Sequence, residues 1–293
     1  MSYARSWLYV PADRRDRLDA APARGADALI VDLEDGVAPA DRPGARRTVA
    51  DWLGRRSGRG GEIWLRLDAG SLRDDVAVLA PPVAGVVLPK AEPALLQELD
   101  GELGARERAV GCPPGSWHVF ALVETAVGLR DLHRVASAPR VVHLGLGEAD
   151  LAAALRLQPS PERAELLPLR LQVVVASAAA GIGAPVGPAS TDFRDLAGLR
   201  RSSEALRRAG YRARTAIHPA QLPVINEVFS PSPREVAEAR ELVEAFEASG
   251  SGVTTDHAGR MVDAAVVRSA HEVLERAERH GGAEPGGPGA GPG

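Results

Sequence analysis

Along the first two-thirds of the chain, short apolar runs of β character alternate with longer segments of helical period. The runs are Ser6–Val10, Ala28–Leu33, Ile63–Leu67, Gly85–Leu88, Trp117–Val123, Val141–Leu144, Gly183–Pro188 and Thr215–Ile217. Helical stretches lie between them, at Arg14–Ala23, Pro43–Leu53, Pro93–Leu103, Leu129–Ala136, Arg163–Ala180 and Phe193–Ala209. Regular strand–helix alternation predicts a parallel sheet covered by helices. About eight such units in roughly 220 residues fit a (β/α)₈ TIM barrel over residues 1–230, close to that fold's usual ~250 residues. An open doubly wound sheet is the alternative, but no Gly-rich phosphate fingerprint follows the first strand.

Beyond the barrel, Ser232–Ala248 predicts an amphipathic helix with Val236, Ala239, Leu242, Val243 and Phe246 on one face. Ser249–His257 reads as a flexible connection and Met261–His280 as a further helix, so residues 231–280 form a C-terminal helical extension or lid. Residues 281–293, nearly all Gly, Pro and Ala, are expected to be disordered.

The polar residues fall in a pattern of their own. Asp32, Glu34 and Asp35 end the second strand, and Arg66 and Asp68 the third. Lys90 follows the fourth, Glu124 the fifth, Glu148 and Asp150 the sixth, Thr191 and Asp192 the seventh, and His218 the eighth. In a (β/α)₈ barrel these positions converge on one face, where active sites are built. Any one of them could cap a helix. Ionisable groups at the end of strand after strand point instead to an enzyme.

Composition changes this picture little. The 293 residues are 45% hydrophobic and 25% charged, with a formal charge of −4. Such a balance gives no general electrostatic reason to bind nucleic acid or an anionic membrane, so an anionic substrate needs a locally basic pocket. The only cysteine, Cys112, cannot form an intrachain disulfide and sits in a loop-like Gly-Cys-Pro-Pro-Gly setting. No signal-type segment and no membrane-spanning apolar run is present, so a cytoplasmic location is expected.

Glu124 and Asp150 are the candidate metal ligands. A pair of carboxylates plus water is what Mg²⁺ accepts from a protein, and no His/Cys cluster of zinc spacing competes. The other reading makes Asp150 an N-cap and Glu124 a buried partner of an arginine. Arg66 offers a planar fork for a carboxylate or a developing enolate oxygen, or a salt bridge to a nearby acid. Asp32, Glu34 and Asp35 crowd negative charge that Lys90 could balance, with Asp32 a candidate base.

Six motifs, in order, resemble the citrate lyase β-subunit-like family, related to the HpcH/HpaI aldolases. They are Pro11-Ala-Asp-Arg-Arg-Asp-Arg, Gly25-Ala-Asp-Ala-Leu-Ile-Val-Asp-Leu-Glu-Asp-Gly-Val-Ala-Pro, Leu88-Pro-Lys-Ala-Glu, Val123-Glu-Thr-Ala-Val-Gly, Leu144-Gly-Leu-Gly-Glu-Ala-Asp-Leu-Ala and Ala216-Ile-His-Pro-Ala-Gln. The likeness runs from about Arg5 to Ala277. It implies a (β/α)₈ barrel that binds Mg²⁺, or Mn²⁺ in its place, through Glu124 and Asp150. Arg66 would hold the substrate carboxylate or carbonyl. The segments around Arg14 and from Arg214 to His218 would lie near a coenzyme A moiety. Gly259-Arg-Met-Val-Asp resembles the family's lid motif, in which Asp263 enters a neighbouring subunit's site, and the family forms trimers or hexamers. Three positions depart from the pattern: Ala213-Arg214-Thr215 replaces Gly-Lys, Ala20 replaces a lysine, and His257-Ala258 replaces an acid before the lid glycine.

The implied reaction is reversible cleavage of a malyl-, citramalyl- or citryl-type coenzyme A ester to a 2-oxo acid and an acyl-coenzyme A. Asp263 is the favoured base, with Asp32 in reserve. Rival readings are a 2-oxo-acid aldolase without coenzyme A, a thioesterase, and a non-catalytic acyl-coenzyme A binding protein.

Overall fold

Eight parallel strands close on themselves in a computed structural model that describes residues 4–56, 61–249, 254–255 and 261–280. The strands are β1 (Ser6–Pro11), β2 (Ala28–Asp32), β3 (Glu62–Arg66), β4 (Val83–Leu88), β5 (His118–Val123), β6 (Val141–Leu146), β7 (Val186–Gly187) and β8 (Ala213–Ala216). Each pairs with the next and β8 returns to β1, so the barrel expectation holds and no sheet edge is left open.

Helices α1 (Arg15–Ala20), α2 (Arg42–Gly54), α3 (Leu72–Val76), α4 (Pro93–Val110), α5 (Ala126–Arg130) and α6 (Leu132–Ala136) follow the first five strands. After β6 come α7 (Glu148–Leu155) and α8 (Leu167–Ala180), then α9 (Leu196–Arg208) after β7 and α10 (Leu222–Phe229) after β8. Alternation along each strand separates two cores. Leu8, Leu29, Leu65 and Val86 point outward to the helices, whereas Trp7, Ile30, Trp64 and Phe120 fill the barrel interior. Gly85 makes room for this filling, because a Cβ there would run into the Trp64 ring and the His118 carbonyl.

Several boundaries differ from the predicted ones for local reasons. The first helix stops at Ala20 and continues as a 3₁₀ turn, since Pro22 supplies no N–H. The predicted Leu129–Ala136 helix is two short ones, the first capped by the Thr125 hydroxyl accepting from Gly128 N–H. Strand β7 keeps only two residues, flanked by Pro185 and Pro188, which cannot donate to a ladder.

The chain divides after Phe229 into two compact units. In the second, α11 (Pro233–Ser249) and α12 (Ala264–His280) bury Ala239, Val243, Val267 and Ala270 together. Part of the expected flexible connection is a strand: β9 (Thr254–Thr255) pairs antiparallel with β10 (Met261–Val262). The last helix therefore begins at Ala264 rather than Met261. Residues 256–260, with the first two residues of the lid motif, and the expected tail 281–293 lie outside the described residues. Among those described, no helix is long and apolar enough to cross a membrane.

Candidate active site

The C-terminal ends of the strands bring ionisable groups into contact. In-register pairing sets Asp32 of β2 beside Arg66 of β3. Arg66 Nη1 lies 3.4 Å from Asp32 Oδ2 and Nη2 lies 2.9 Å from Asp35 Oδ2, and Arg66 also ion-pairs with Glu34. Glu34 in turn takes Lys90 Nζ at 3.0 Å. Both Asp32 oxygens are occupied locally as well, accepting the N–H groups of Glu34 and Gly36. Tyr9, one inward step above Trp7, stands with its ring centroid 5.6 Å from the Arg66 guanidinium carbon.

Glu124 directly follows β5, is buried, and accepts the Lys90 backbone N–H at 2.9 Å. Among the described residues no arginine forms an ion pair with it. Nor is Asp150 an N-cap: Gly147 occupies that position of α7, and Asp150 is exposed in the first turn. A Cβ on Gly147 would collide with the Glu124 carboxylate, so this glycine admits the acid. Glu124 and Asp150 share the lining of a cavity of about 180 Å³ with Tyr9, Arg66, Arg163 and Thr215. A second cavity of about 630 Å³, lined by Arg17, Arg24, Asp32 and His218, shares Tyr9 and Arg66 with the first.

Burial and like charge shape the protonation of this cluster. Burial, then Glu34 and Asp150, push Glu124 up to about 7 against the pull of Arg66 and the Lys90 N–H. Burial also raises Asp32 and Glu34, with Arg66 opposing in each case. The Lys90 ammonium is held above its ordinary range by its hydrogen bond to Glu34.

Around the two cavities, Asp32, Glu34, Asp35, Glu124, Glu148 and Asp150 face Arg66, Lys90, Arg163 and Arg170. Among the described residues no group of three His, Cys, Asp or Glu could hold a metal. A hard cation with only two protein carboxylates, completed by water and ligand oxygens, fits this donor set; zinc, with its three or four N/S ligands, does not.

Two residues expected beside coenzyme A line neither cavity. Arg14 is exposed, paired with Asp16 at 3.1 Å, and lines neither cavity. Arg214 is buried, because alternation in β8 turns Thr215 to the cavity and Arg214 to the helix layer. There it donates to Pro188 and Leu199 carbonyls and the Ser202 and Ser203 hydroxyls, and burial pushes it down to about 10. His218 does line the larger cavity, stacked on Phe193 at 4.6 Å, with its Nδ1 accepting from Ala220 N–H. Asp263 lies in the second unit, where its Oδ1 caps α12 by accepting from Ala265 and Val266, and those N–H groups lower its proton affinity. Tyr9, Arg17, Arg24 and Arg163 are cavity residues the sequence did not single out. For Tyr9 the signal was available, since it is one inward step from Trp7; for Arg163, in a Pro-Ser-Pro-Glu loop, there was none.

A closed (β/α)₈ barrel whose mouth joins a carboxylate pair, a clamped arginine and a basic cavity defines a barrel of the acid-handling kind. The chain belongs to the HpcH/HpaI aldolase/citrate lyase family, whose profile matches residues 5–219. It is 33% identical over 286 residues to the citrate lyase subunit beta of Escherichia coli (strain K12), covering 94% of each chain. It is 33% identical over 282 residues to the (3S)-malyl-CoA thioesterase of Cereibacter sphaeroides (strain ATCC 17025 / ATH 2.4.3), again with 94% of each covered. Among solved structures, protein CitE from Mycobacterium tuberculosis in complex with magnesium, acetoacetate and coenzyme A superposes with a TM-score of 0.75. The two are 32% identical, with 94% of this chain and 98% of that one covered.

Proposed function

We propose that this chain is a Mg²⁺-dependent carbon–carbon lyase that cleaves a 3-hydroxy-3-carboxyacyl-coenzyme A ester to a 2-oxo acid and an acyl-coenzyme A. The observation that carries the reading is the convergence of Glu124, Asp150 and Arg66 on one cavity that opens beside a larger basic one. Glu124 and Asp150 would hold the ion, which when bound neutralises the substrate's oxygens and lowers the hydroxyl pKa. Mn²⁺ suits the same oxygen donors.

Arg66 stays protonated, because the negative charge around it outweighs its burial. It offsets the charge that develops on the thioester enolate as the carbon–carbon bond breaks. Asp32, with both oxygens filled, holds Arg66 and the loop after β2 rather than taking a proton. Glu34 and Lys90 complete that support. For the base we favour Asp263, delivered by a neighbouring copy in a homotrimer or hexamer; its Oδ2 is left free by the capping bonds among the described residues. The hydroxyl proton passes to this carboxylate, and reprotonation of the enolate carbon yields the acyl thioester. The larger cavity would take the coenzyme A moiety, with Arg17, Arg24 and His218 at its wall. The chemistry is that of a cytoplasmic enzyme acting on small acids.

The test is a panel of malyl-, citramalyl- and citryl-coenzyme A esters, with Mg²⁺ and with EDTA. The expected result is metal-dependent release of a 2-oxo acid. Release of free coenzyme A thiol would favour thioester hydrolysis, the reading suggested by the Cereibacter relative's name. No ester turnover, with 2-oxo acids condensing with aldehydes instead, would move the assignment to an aldolase.

A further inference from the structure

Glu148, buried in the first turn of α7, accepts bonds from two arginines. Arg170 grips it in a fork, with Nε 2.6 Å from Oε1 and Nη2 2.9 Å from Oε2. That bidentate pair matches the carboxylate's charge one for one. Arg163 adds one bond, Nη1 to Oε2 at 2.9 Å, and makes no other side-chain hydrogen bond among the described residues. Its side chain is 42% exposed and stands in the wall of the small cavity that holds Glu124, Asp150 and Arg66. The Arg163 backbone lies at φ 53°, in the left-handed region that L residues other than Asn and Asp seldom adopt.

Arg66, the other guanidinium on this cavity, is already enclosed by Asp32, Glu34 and Asp35. Arg163 is therefore the surplus cation of the small cavity. With a divalent ion matching Glu124 and Asp150, that surplus favours a further negative charge on the ligand itself. A four-carbon 2-oxo diacid supplies it: one carboxylate stays beside the oxo group while the other, on the far side, reaches the wall.

We propose that Arg163 is a specificity-determining residue that binds a second carboxylate on the 2-oxo acid half of the substrate. The 2-oxo product is then a diacid in preference to a monoacid. This rests on the functional reading above, which puts the 2-oxo acid half in this cavity.

The test is equilibrium binding, by calorimetry on the full chain with Mg²⁺, of oxaloacetate and of pyruvate. The variants are Arg163→Asn, which suits the left-handed backbone, and Arg163→Lys, which keeps the charge without the fork. We expect the wild type to prefer oxaloacetate by about tenfold or more, as a charge-assisted hydrogen bond implies. Arg163→Asn should lose most of that preference and Arg163→Lys regain part of it. A merely structural arginine would weaken both ligands alike, and that result overturns the inference. So does a wild type without preference, or a preference that survives in Arg163→Asn. If pyruvate and oxaloacetate both fail to bind the wild type, the inference falls, while the functional reading is decided separately by the ester panel, whose malyl ester releases glyoxylate.

Discussion

The floor and the mouth of the barrel are built by the same strands, yet their chemistry is opposite. One inward step changes Trp7 to Tyr9, Ile30 to Asp32, Trp64 to Arg66 and Leu122 to Glu124. Such a step is about 6.6 Å along a strand. Below it, Trp7 packs 5.1 Å from Trp64 and 5.5 Å from Phe120, ring to ring, with His143 among them. Above it, Arg66, Lys90 and four acids compete for hydrogen bonds. The dry floor excludes water from beneath the charges, which strengthens every electrostatic interaction in the mouth. Stability and chemistry are thereby assigned to adjacent layers, and substitutions can separate them.

The largest expected effect is on the mouth. Glu124→Gln keeps the shape and removes a buried charge that is already disfavoured. We expect metal-dependent turnover to fall by about 10³ or more, some 4 kcal/mol, with melting temperature held or raised. Turnover within tenfold of wild type, read beside a thermal melt, would remove Glu124 from the metal site and undo the division of labour. On the floor the opposite is expected. Trp64→Ala opens a cavity against Trp7 and His143 and should destabilise the fold by about 3–5 kcal/mol in urea unfolding. A loss below about 1 kcal/mol would show that the floor packs loosely and does not carry stability.

His143 sharpens the comparison through pH. Burial pushes this floor histidine down to about 4, while an unfolded chain titrates it near 6.5. Between those values the unfolded state binds more protons, so stability is full above about 6.5 and is lost as pH falls toward 4. The ceiling on that loss is on the order of 3 kcal/mol. His143→Gln does not titrate, so its stability deficit at pH 7.5 should shrink by about 1–2 kcal/mol at pH 5. Parallel stability curves for the two proteins would mean that His143 is reachable by solvent and that the floor is not dry.

How much of this was legible in the sequence follows from what each signal measures. Alternating apolar runs and polar strand ends report the barrel and its active face, because closure fixes where every strand end points. Arg214 came from the family resemblance rather than from the strand pattern, and at that point one residue of register decides between the cavity and the helix layer. Alternation along β8 selects Thr215 for the cavity instead. Arg14 went astray for another reason: an exposed arginine beside an acid two residues away is satisfied locally. Arg163 depends on a loop's path after α7, and no periodicity describes such a path. Glu148 looked like one more acid of the mouth, but two arginines distant in sequence claim it.

The smallest expected effects lie at the rim of the larger cavity and separate two neighbours on one turn. Arg17 and Arg24 line that cavity and form no ion pair among the described residues, whereas Arg14 is held by Asp16 outside it. Exposed cations facing a phosphate-bearing ligand act mainly by screened attraction, so each contributes modestly and loses effect as salt rises. Arg17→Ala and Arg24→Ala should each raise KM for the coenzyme A ester by about three- to tenfold at low ionic strength. Turnover at saturation should hardly move, since neither group touches the reacting atoms. The gap from wild type should close in about 0.5 M salt, where the screening length falls to roughly 4 Å. Arg14→Ala should keep KM within about twofold under both conditions. If instead Arg14→Ala raised KM as much as the other two, the Arg14–Asp16 pair would have to open when the ester binds. The rim would then be a surface that reorganises around its ligand rather than one preset by the fold.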